Sequence, residues 1–407
     1  MDGVAGTGFI DAVRAFEWEG QATTEVVTPA SPHAPTFVNE FWTSRQRHAH
    51  SLHEISYRAC FKPQLPRFFI DRLTKPGDVV YDPFAGRGTT PLEAALAGRV
   101  AWANDVNPLT AVLLGPRLAP PALDEVKRRL DEMDLRHPAD VPKDLEVFYH
   151  HETLLAICSL REYLMAREAA GTLDDVDRWI RMVAVNRLTG HSAGFFSVYT
   201  LPPNQATSVQ AQRKINRNRA QKPPLRDVPG LIIKKSRTLL KDCGPETREA
   251  LCRVAPRAVL TTGPAHHTPR LRSGSVHLVV TSPPFLDVVQ YASDNWLRCW
   301  FCGIDAGSVP ITFTRRLGDW QAEMGRVFLE LHRLVRSGGH VAFEVGEVRG
   351  GSVRLEEAVI PCGVDAGFDL VLVLINSQQF TKTANVWGVF NNRLGTNTNR
   401  IVVFRKR

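Results

Sequence analysis

Apolar residues along this chain keep two different rhythms. Over 65–73 they recur at helical spacing, and Pro76-Gly77-Asp78 then turns the chain into Val79-Val80-Tyr81-Asp82, a short continuous run such as a buried strand presents. The run ends in Asp82-Pro83-Phe84-Ala85-Gly86-Arg87-Gly88-Thr89-Thr90, after which 91–97 is helical and Gly98 closes it. Arg99-Val100-Ala101-Trp102-Ala103-Asn104-Asp105 reads as a second strand with an acid at its end, completing a βαβ unit. From about 123 to 253 the helical rhythm dominates, over 123–133, 154–170 and 176–187, with a polar and basic break between Thr200 and Val228. Strand text resumes at 258–260 and 275–280, continues through a helix at 320–335, a strand at 340–345 and a helix at 359–366, and ends with strands at 369–375 and 399–404.

This alternation, interrupted by a helical block, predicts an α/β fold: a Rossmann-like, doubly wound sheet with a largely helical, basic insertion. The expected divisions are an N-terminal extension over 1–45, a first sheet segment over 46–118, the insertion over 119–255 and a second sheet segment over 256–407. Residues 1–45 lack clear periodicity, and Thr28-Pro29-Ala30-Ser31-Pro32-His33-Ala34-Pro35 reads as an extended strap, so little regular structure is expected there.

Composition narrows the picture in three ways. A chain of 407 residues with 43% hydrophobic positions builds a substantial core and excludes a disulfide-stapled miniature or a disordered chain. The net charge of +8 favours a polyanionic partner. Seven cysteines, scattered and odd in number, suit a reducing cytoplasm, and no apolar run has the length of a signal sequence or a membrane span, so a cytoplasmic protein without a membrane partner is expected. Cys299 and Cys302 form a CxxC without a second pair nearby, and His48, His50, His53, His266 and His267 have no completing acid or Cys at ligand spacing, so no metal is expected. Trp296, Trp300 and Phe301 follow Tyr291 at roughly helical spacing and are expected in the core.

The loop over 82–90 must turn tightly from strand to helix, and Gly86 and Gly88 let the backbone approach a ligand at the helix N-terminus. A triphosphate-cradling loop would need Lys directly before the Thr, where Gly88 stands, and a dinucleotide loop would want a small residue where Pro91 stands. An adenosyl group without phosphate needs neither. Asp105 falls 19 positions after Gly86, near the spacing at which a carboxylate meets ribose hydroxyls, and Asn107-Pro108 stiffens the turn behind it. Spacing alone leaves a helix cap before Leu109 as the other role for Asp105.

A second loop closes the run Leu278-Val279-Val280: Thr281-Ser282-Pro283-Pro284-Phe285. Two prolines after a buried strand remove two N–H donors and hold the backbone extended, leaving the carbonyls of Ser282 and Pro283 to face the space beyond the strand. Acceptors placed there would grip the hydrogens of a nucleobase amino group and aim its weak lone pair at an electrophilic carbon, while Phe285 offers a face for stacking. Alone, the turn reads first as a strand-ending Pro-Pro with a core Phe.

Together the two loops resemble motifs I and IV of the amino-group DNA methyltransferases, which methylate cytosine N4 or adenine N6 with S-adenosylmethionine. Similarity extends to His50-Ser51-Leu52-His53 and Phe61-Lys62-Pro63, like the family's motif X, and to Thr398-Asn399-Arg400-Ile401 in a closing strand. The resemblance implies that Asp82, Pro83, Phe84, Ala85, Gly86, Gly88, Thr89 and Thr90 hold S-adenosylmethionine, with Asp105 and Asn107 at its ribose and Phe61 and Pro63 on the motif X side. It implies that Ser282, Pro283, Pro284 and Phe285 hold the target base. Ser at the head of the Pro-Pro motif is commoner among cytosine-N4 members than adenine-N6 members, so cytosine N4 is the expected acceptor, in a base flipped from double-stranded DNA. Such enzymes serve epigenetic marking, or restriction-modification beside a cognate endonuclease. Two features depart from the family pattern. Pro264 stands where an acid often meets the cofactor's adenine, and the cofactor loop precedes the target loop, the reverse of many members with this wording.

The insertion supplies charge. From 204 to 241 there are ten Lys and Arg against Asp227 alone, interleaved with Asn and Gln, and Arg213, Lys214, Asn216, Arg217, Arg219 and Lys222 are the expected DNA contacts. A solvated basic face is the other reading of such a run. The polar stretches 381–383 and 391–400 are further candidates for a loop over the DNA.

Overall fold

The computed structural model describes residues 4–28, 31, 34–42, 49–57, 60–200, 207–284, 291–310, 316–348, 353–377 and 398–407. In chain order the elements are α1 (Val4–Arg14), β1 (Glu17–Trp18), β2 (Gln21–Ala22), β3 (Thr24–Val26), β4 (Thr36–Asn39), α2 (Gln64–Leu73), β5 (Val79–Asp82), α3 (Thr89–Leu96), β6 (Val100–Asp105) and α4 (Leu109–Leu118). Six helices follow: α5 (Leu123–Asp131), α6 (His151–Ala169), α7 (Asp175–Val185), α8 (Val209–Asn218), α9 (Val228–Leu239) and α10 (Pro245–Val254). The chain then returns to the sheet through β7 (Val259–Thr262), β8 (Val276–Thr281), α11 (Tyr291–Phe301), α12 (Leu317–Leu334), β9 (Val335–Val345), β10 (Glu347–Val348), β11 (Val353–Arg354), α13 (Leu355–Asp365), β12 (Phe368–Ser377) and β13 (Thr398–Lys406).

Nine strands make one sheet in the order β3-β4-β12-β13-β9-β8-β5-β6-β7. Five of them, β7, β6, β5, β8 and β9, are mutually parallel, and β13 enters antiparallel between β9 and β12. From β5 the chain winds outward through β6 to β7, whereas β8 and β9 extend the sheet the other way. The order therefore reverses between β5 and β8, and a crevice opens beyond the carboxyl ends of strands at such a reversal.

Side-chain alternation along the strands explains why both faces are covered. Val79 and Tyr81 pack with Val279, Phe328 and Phe343 under α12 and α13, while Val80 packs with Leu278, Val280, Phe68 and Phe69 under α2. A third apolar cluster, around Trp179, Phe148 and Leu164, lies among α4 to α9, where Trp179 Nε1 donates to Ser236 Oγ at 3.0 Å. Asp177 is fully buried there, bonded to Arg129 and, at 2.5 Å, to Arg167, so its charge is compensated.

Two expectations need correction. The N-terminal region is not an unstructured strap: β4 pairs parallel with β12, β3 pairs with β4, and Phe37, Phe41 and Trp42 are buried beside α2. These strands run to two to four residues, too few for a visible rhythm, and the partner that stabilises β4 lies more than 300 positions away. The polar break between Thr200 and Val228 also contains a helix, α8, which Ser208 caps by accepting from Ala211 N, and its low apolar content hid it. The segments at 381–383 and 391–397, together with His48, lie outside the described residues. Among the described residues no helix is long and apolar enough to cross a membrane.

Candidate active site

The glycine loop begins at the end of β5. Asp82, 1% exposed, uses Oδ1 to accept from Phe84 N at 3.1 Å and from the Thr281 hydroxyl at 2.6 Å. Thr90, in the first turn of α3, donates to Val280 O at 3.0 Å. Both bonds cross from the first loop to the strand that carries the second, so the two turns sit side by side at the reversal of strand order.

Within the loop Gly86 and Gly88 have φ of 54° and 80°, a region that costs any other residue strain. A side-chain carbon at Gly86 would lie 3.5 Å from Tyr57 Cε1, and one at Gly88 would lie 2.7 Å from Leu114 Cδ1. Asp105 Oδ2 accepts from Gly86 N at 2.7 Å, and Oδ1 accepts from Asn107 N at 2.9 Å. Asp105 therefore shapes both loops and does not cap α4, whose Leu109 N donates to Asn107 Oδ1 at 2.8 Å. Each oxygen of Asp105 keeps a second lone pair, which leaves capacity for hydroxyl donors.

The second turn starts with Thr281 buried and Ser282 half-buried. The pairing of Thr281 with Phe343 sets Ser282 beside Glu344 of β9, near enough for its hydroxyl to draw the carboxyl's pKa down, and Asn399 Nδ2 from β13 donates to that carboxyl. Pro283 is buried and Pro284 exposed. The Pro284 carbonyl accepts from Trp320 Nε1 at 2.9 Å, which ties the turn to α12. Phe285 lies outside the described residues.

Three carboxyl groups consequently ring the strand ends, and burial raises all three, Asp82 to about 7, Glu344 to about 7 and Asp105 to about 6. Their mutual repulsion adds to the shift, Asp105 acting on Asp82 and Asp82 on Glu344. A crevice lined this way repels phosphates and accommodates a cation or a donor of N–H groups.

Sequence reasoning missed Tyr57 and Glu344. Tyr57 faces Gly86, and its hydroxyl accepts from Asn107 Nδ2 at 2.8 Å. The segment bearing it is clamped by Arg87, which donates through Nη1 to Ile55 O at 3.1 Å, and by the fully buried Arg117, which reaches Leu52 O at 3.3 Å and Arg87 O. Phe61 packs against the cluster under α2, and Pro63 lines a cavity of about 330 Å³ with His50, Arg67 and Glu93. None of the described residues lining that cavity comes from 82–90.

On the insertion, Arg213, Lys214, Arg217, Arg219 and Lys222 are exposed. Arg213 pairs with Asp144 at 2.9 Å and Arg219 stacks 3.9 Å over Tyr199. Asn216 is spent internally, donating to Val147 O at 2.7 Å and accepting from Gln212 and Gln221. Trp296 of α11 donates to Thr207 O at 3.2 Å, just ahead of the basic helix. Cys299 and Phe301 are buried in α11, with Trp296 and Trp300 half-buried against the same core.

Residues 18–108 match the family of N6- and N4-type methyltransferases described as DNA methylase. This segment is similar to the amino-group DNA methyltransferases. The family match takes in the glycine loop and Asp105 and stops before the Ser-Pro-Pro turn. A curated relative, the Type II methyltransferase M.MjaII of Methanocaldococcus jannaschii, is 30% identical over 89 residues, which are 22% of this chain and 16% of that protein. The chain thus spans only a small part of the length of that relative. Among solved structures, TrmN of Thermus thermophilus is 14% identical with a TM-score of 0.32, covering 86% of this chain and 50% of its own. A TehB-like S-adenosylmethionine-dependent methyltransferase of Corynebacterium glutamicum is 9% identical with a TM-score of 0.30, covering 84% and 87%.

Proposed function

We propose that the protein transfers a methyl group from S-adenosylmethionine to the exocyclic N4 of cytosine in a specific sequence of double-stranded DNA, the target base being flipped into the crevice. The observation that carries this reading is the 2.6 Å bond from Thr281 to Asp82, because it holds a ligand-cradling glycine loop and an acceptor-rich Pro-Pro turn in one hollow. Residues around the hollow fit the cofactor: Gly86 and Gly88 supply the positive φ that the tight turn needs, Asp105 has lone pairs for ribose hydroxyls, and the carboxyls, where ionised, favour a sulfonium over a phosphate.

Bound S-adenosylmethionine supplies an electrophilic methyl, whose bond to sulfur breaks as the bond to the base nitrogen forms and leaves its electron pair on sulfur. Ser282, which neighbours Glu344, would give its hydrogen to that carboxyl and use a lone pair to accept a hydrogen bond from the amino group. That contact aims the nitrogen lone pair at the incoming carbon. As the nitrogen gains charge, its proton passes to Ser282 Oγ while the serine's own proton passes to Glu344, whose affinity for a proton burial has already raised. Serine thereby acts with the carboxyl behind it.

Adenine N6 presents the same amino hydrogens, and it is the serine at position 282 that favours cytosine. The exposed cations of α8 and its flanks would take DNA phosphates. Work in restriction-modification would add a cognate endonuclease as partner. Ser282→Ala is expected to lower kcat by about 10²–10⁴-fold, because it removes both the acceptor of the amino proton and its path to Glu344, with little change in cofactor affinity. Calorimetric titration beside single-turnover kinetics checks it, and equal loss of both would remove Ser282 from the acceptor's side of the hollow.

A further inference from the structure

Cations gather around the segment that carries Tyr57. Arg298, 6% exposed on α11, donates to Ser56 O at 3.2 Å and lies 5.9 Å from the Tyr57 ring centre. Ser56 N donates to Asn186 Oδ1 at 3.0 Å, and the next residue, Arg187, stands where Arg298 repels it. Arg187 in turn repels Lys235 of α9. The insertion and the segment over 49–57 thus bring three cations together beside the hollow.

Their counter-charge is thin. Among the described residues Arg187 meets Asn186 O at 2.8 Å, Gly194 O at 3.4 Å and the face of Phe195 at 4.1 Å, but no carboxylate. Lys235 has Glu54 at 3.9 Å, and Glu54 is 55% exposed whereas the lysine side chain is 13% exposed. Burial, with repulsion from the neighbouring arginine, pulls Lys235 down to about 8 and Arg187 to about 10. Desolvated charge without an adequate partner costs stability, and two such groups held in place by packing are poised for an anion that arrives from outside.

We infer that Arg187 and Lys235, backed by Arg298, seat a backbone phosphate of the DNA beside the flipped nucleotide. The inference rests on the DNA reading given above and adds a contact outside the exposed helix α8. Tyr57 touches both neighbourhoods: a side-chain carbon at Gly86 would lie 3.5 Å from its ring, and Arg298 lies 5.9 Å from the ring centre. A nucleotide with its base toward Ser282 would then send its phosphate toward Arg187, which meets no carboxylate among the described residues, and Lys235, whose one carboxylate stands 3.9 Å away.

Salt titration of affinity for a short mixed-sequence duplex tests the seat, using the full chain, Lys235→Gln, Arg187→Gln and the charge-conserving Arg187→Lys. Losing a phosphate contact should lower the slope of log affinity against log salt by about 0.9. Each glutamine variant is expected to show that loss, Arg187→Lys to retain most of the slope, and all to bind S-adenosylmethionine as the parent does, with unchanged circular dichroism. Unchanged slopes in both glutamine variants would overturn the seat while leaving the parent's DNA binding intact. Weakened cofactor affinity with an unchanged slope would overturn it as well, assigning the cations to the cofactor's carboxylate. A parent that binds duplex with no salt dependence would sink the DNA reading itself.

Discussion

Glu344→Gln should slow methyl transfer by about 10²–10⁴-fold, the range general-base catalysis contributes. Glutamine keeps the shape and can still accept from Ser282, but it cannot take the proton that the amino group must shed. The pH profile separates this role from a structural one. Because the folded carboxyl titrates at about 7, its ionised, proton-accepting form grows as pH rises, so kcat of the parent should climb between pH 6 and 8 on the order of the fraction ionised. The variant should lose that limb. Stability should move the opposite way. A carboxyl raised above its unfolded value of 4.5 binds its proton more tightly when folded, so its contribution is present at low pH and declines as pH rises toward 7. Glu344→Gln removes that decline, and chemical denaturation at pH 8 is expected to find the slow variant no less stable than the parent. A variant that is both slow and much less stable at pH 8 would mark Glu344 as a packing residue.

Gly88→Ala should destabilise the fold by about 2–5 kcal/mol, summing left-handed backbone strain and overpacking. At φ 80° the added methyl would sit 2.7 Å from Leu114 Cδ1, with two further Leu114 carbons at 3.0 Å. Leu114 is fully buried in α4 and has no room to yield. Relief must come from the loop itself, whose Gly88 N donates to Ala85 O at 2.6 Å, so the cofactor cradle should distort along with the fold. Thermal unfolding with and without S-adenosylmethionine measures both effects: the variant should melt earlier and gain less from the ligand. Gly86→Ala is milder by comparison, since its new carbon would make an ordinary 3.5 Å contact with Tyr57.

How much of this was legible in the sequence follows from the range over which each feature is fixed. The turn from β5 into α3 is local: glycines at positive φ, a helix start at Thr89 and an acid 19 residues on are all close neighbours in the chain. The Ser-Pro-Pro turn is local too, and so is the apolar run before it. Glu344 is different. It reads as one polar position in a buried strand, and only the register of β9 against β8 sets it opposite Ser282. Tyr57 carried no motif, and its place against Gly86 depends on buried Arg117 clamping Leu52 and Arg87 from α4. Asn216, an expected DNA contact, has its amide engaged by Val147, Gln212 and Gln221, partners its sequence neighbourhood does not announce. Strands β3 and β4 were invisible for want of length, since their stability comes from β12 and not from their own composition.

The central claim is methyl transfer to a base amino nitrogen, and one measurement reaches it directly. The protein is incubated with S-adenosylmethionine carrying a labelled methyl group and with mixed-sequence duplex DNA, the DNA is digested to nucleosides, and the labelled nucleoside is identified by mass and fragmentation. The account predicts label in N4-methylcytosine; label on a ring carbon, or DNA free of label while the cofactor is bound, would contradict it.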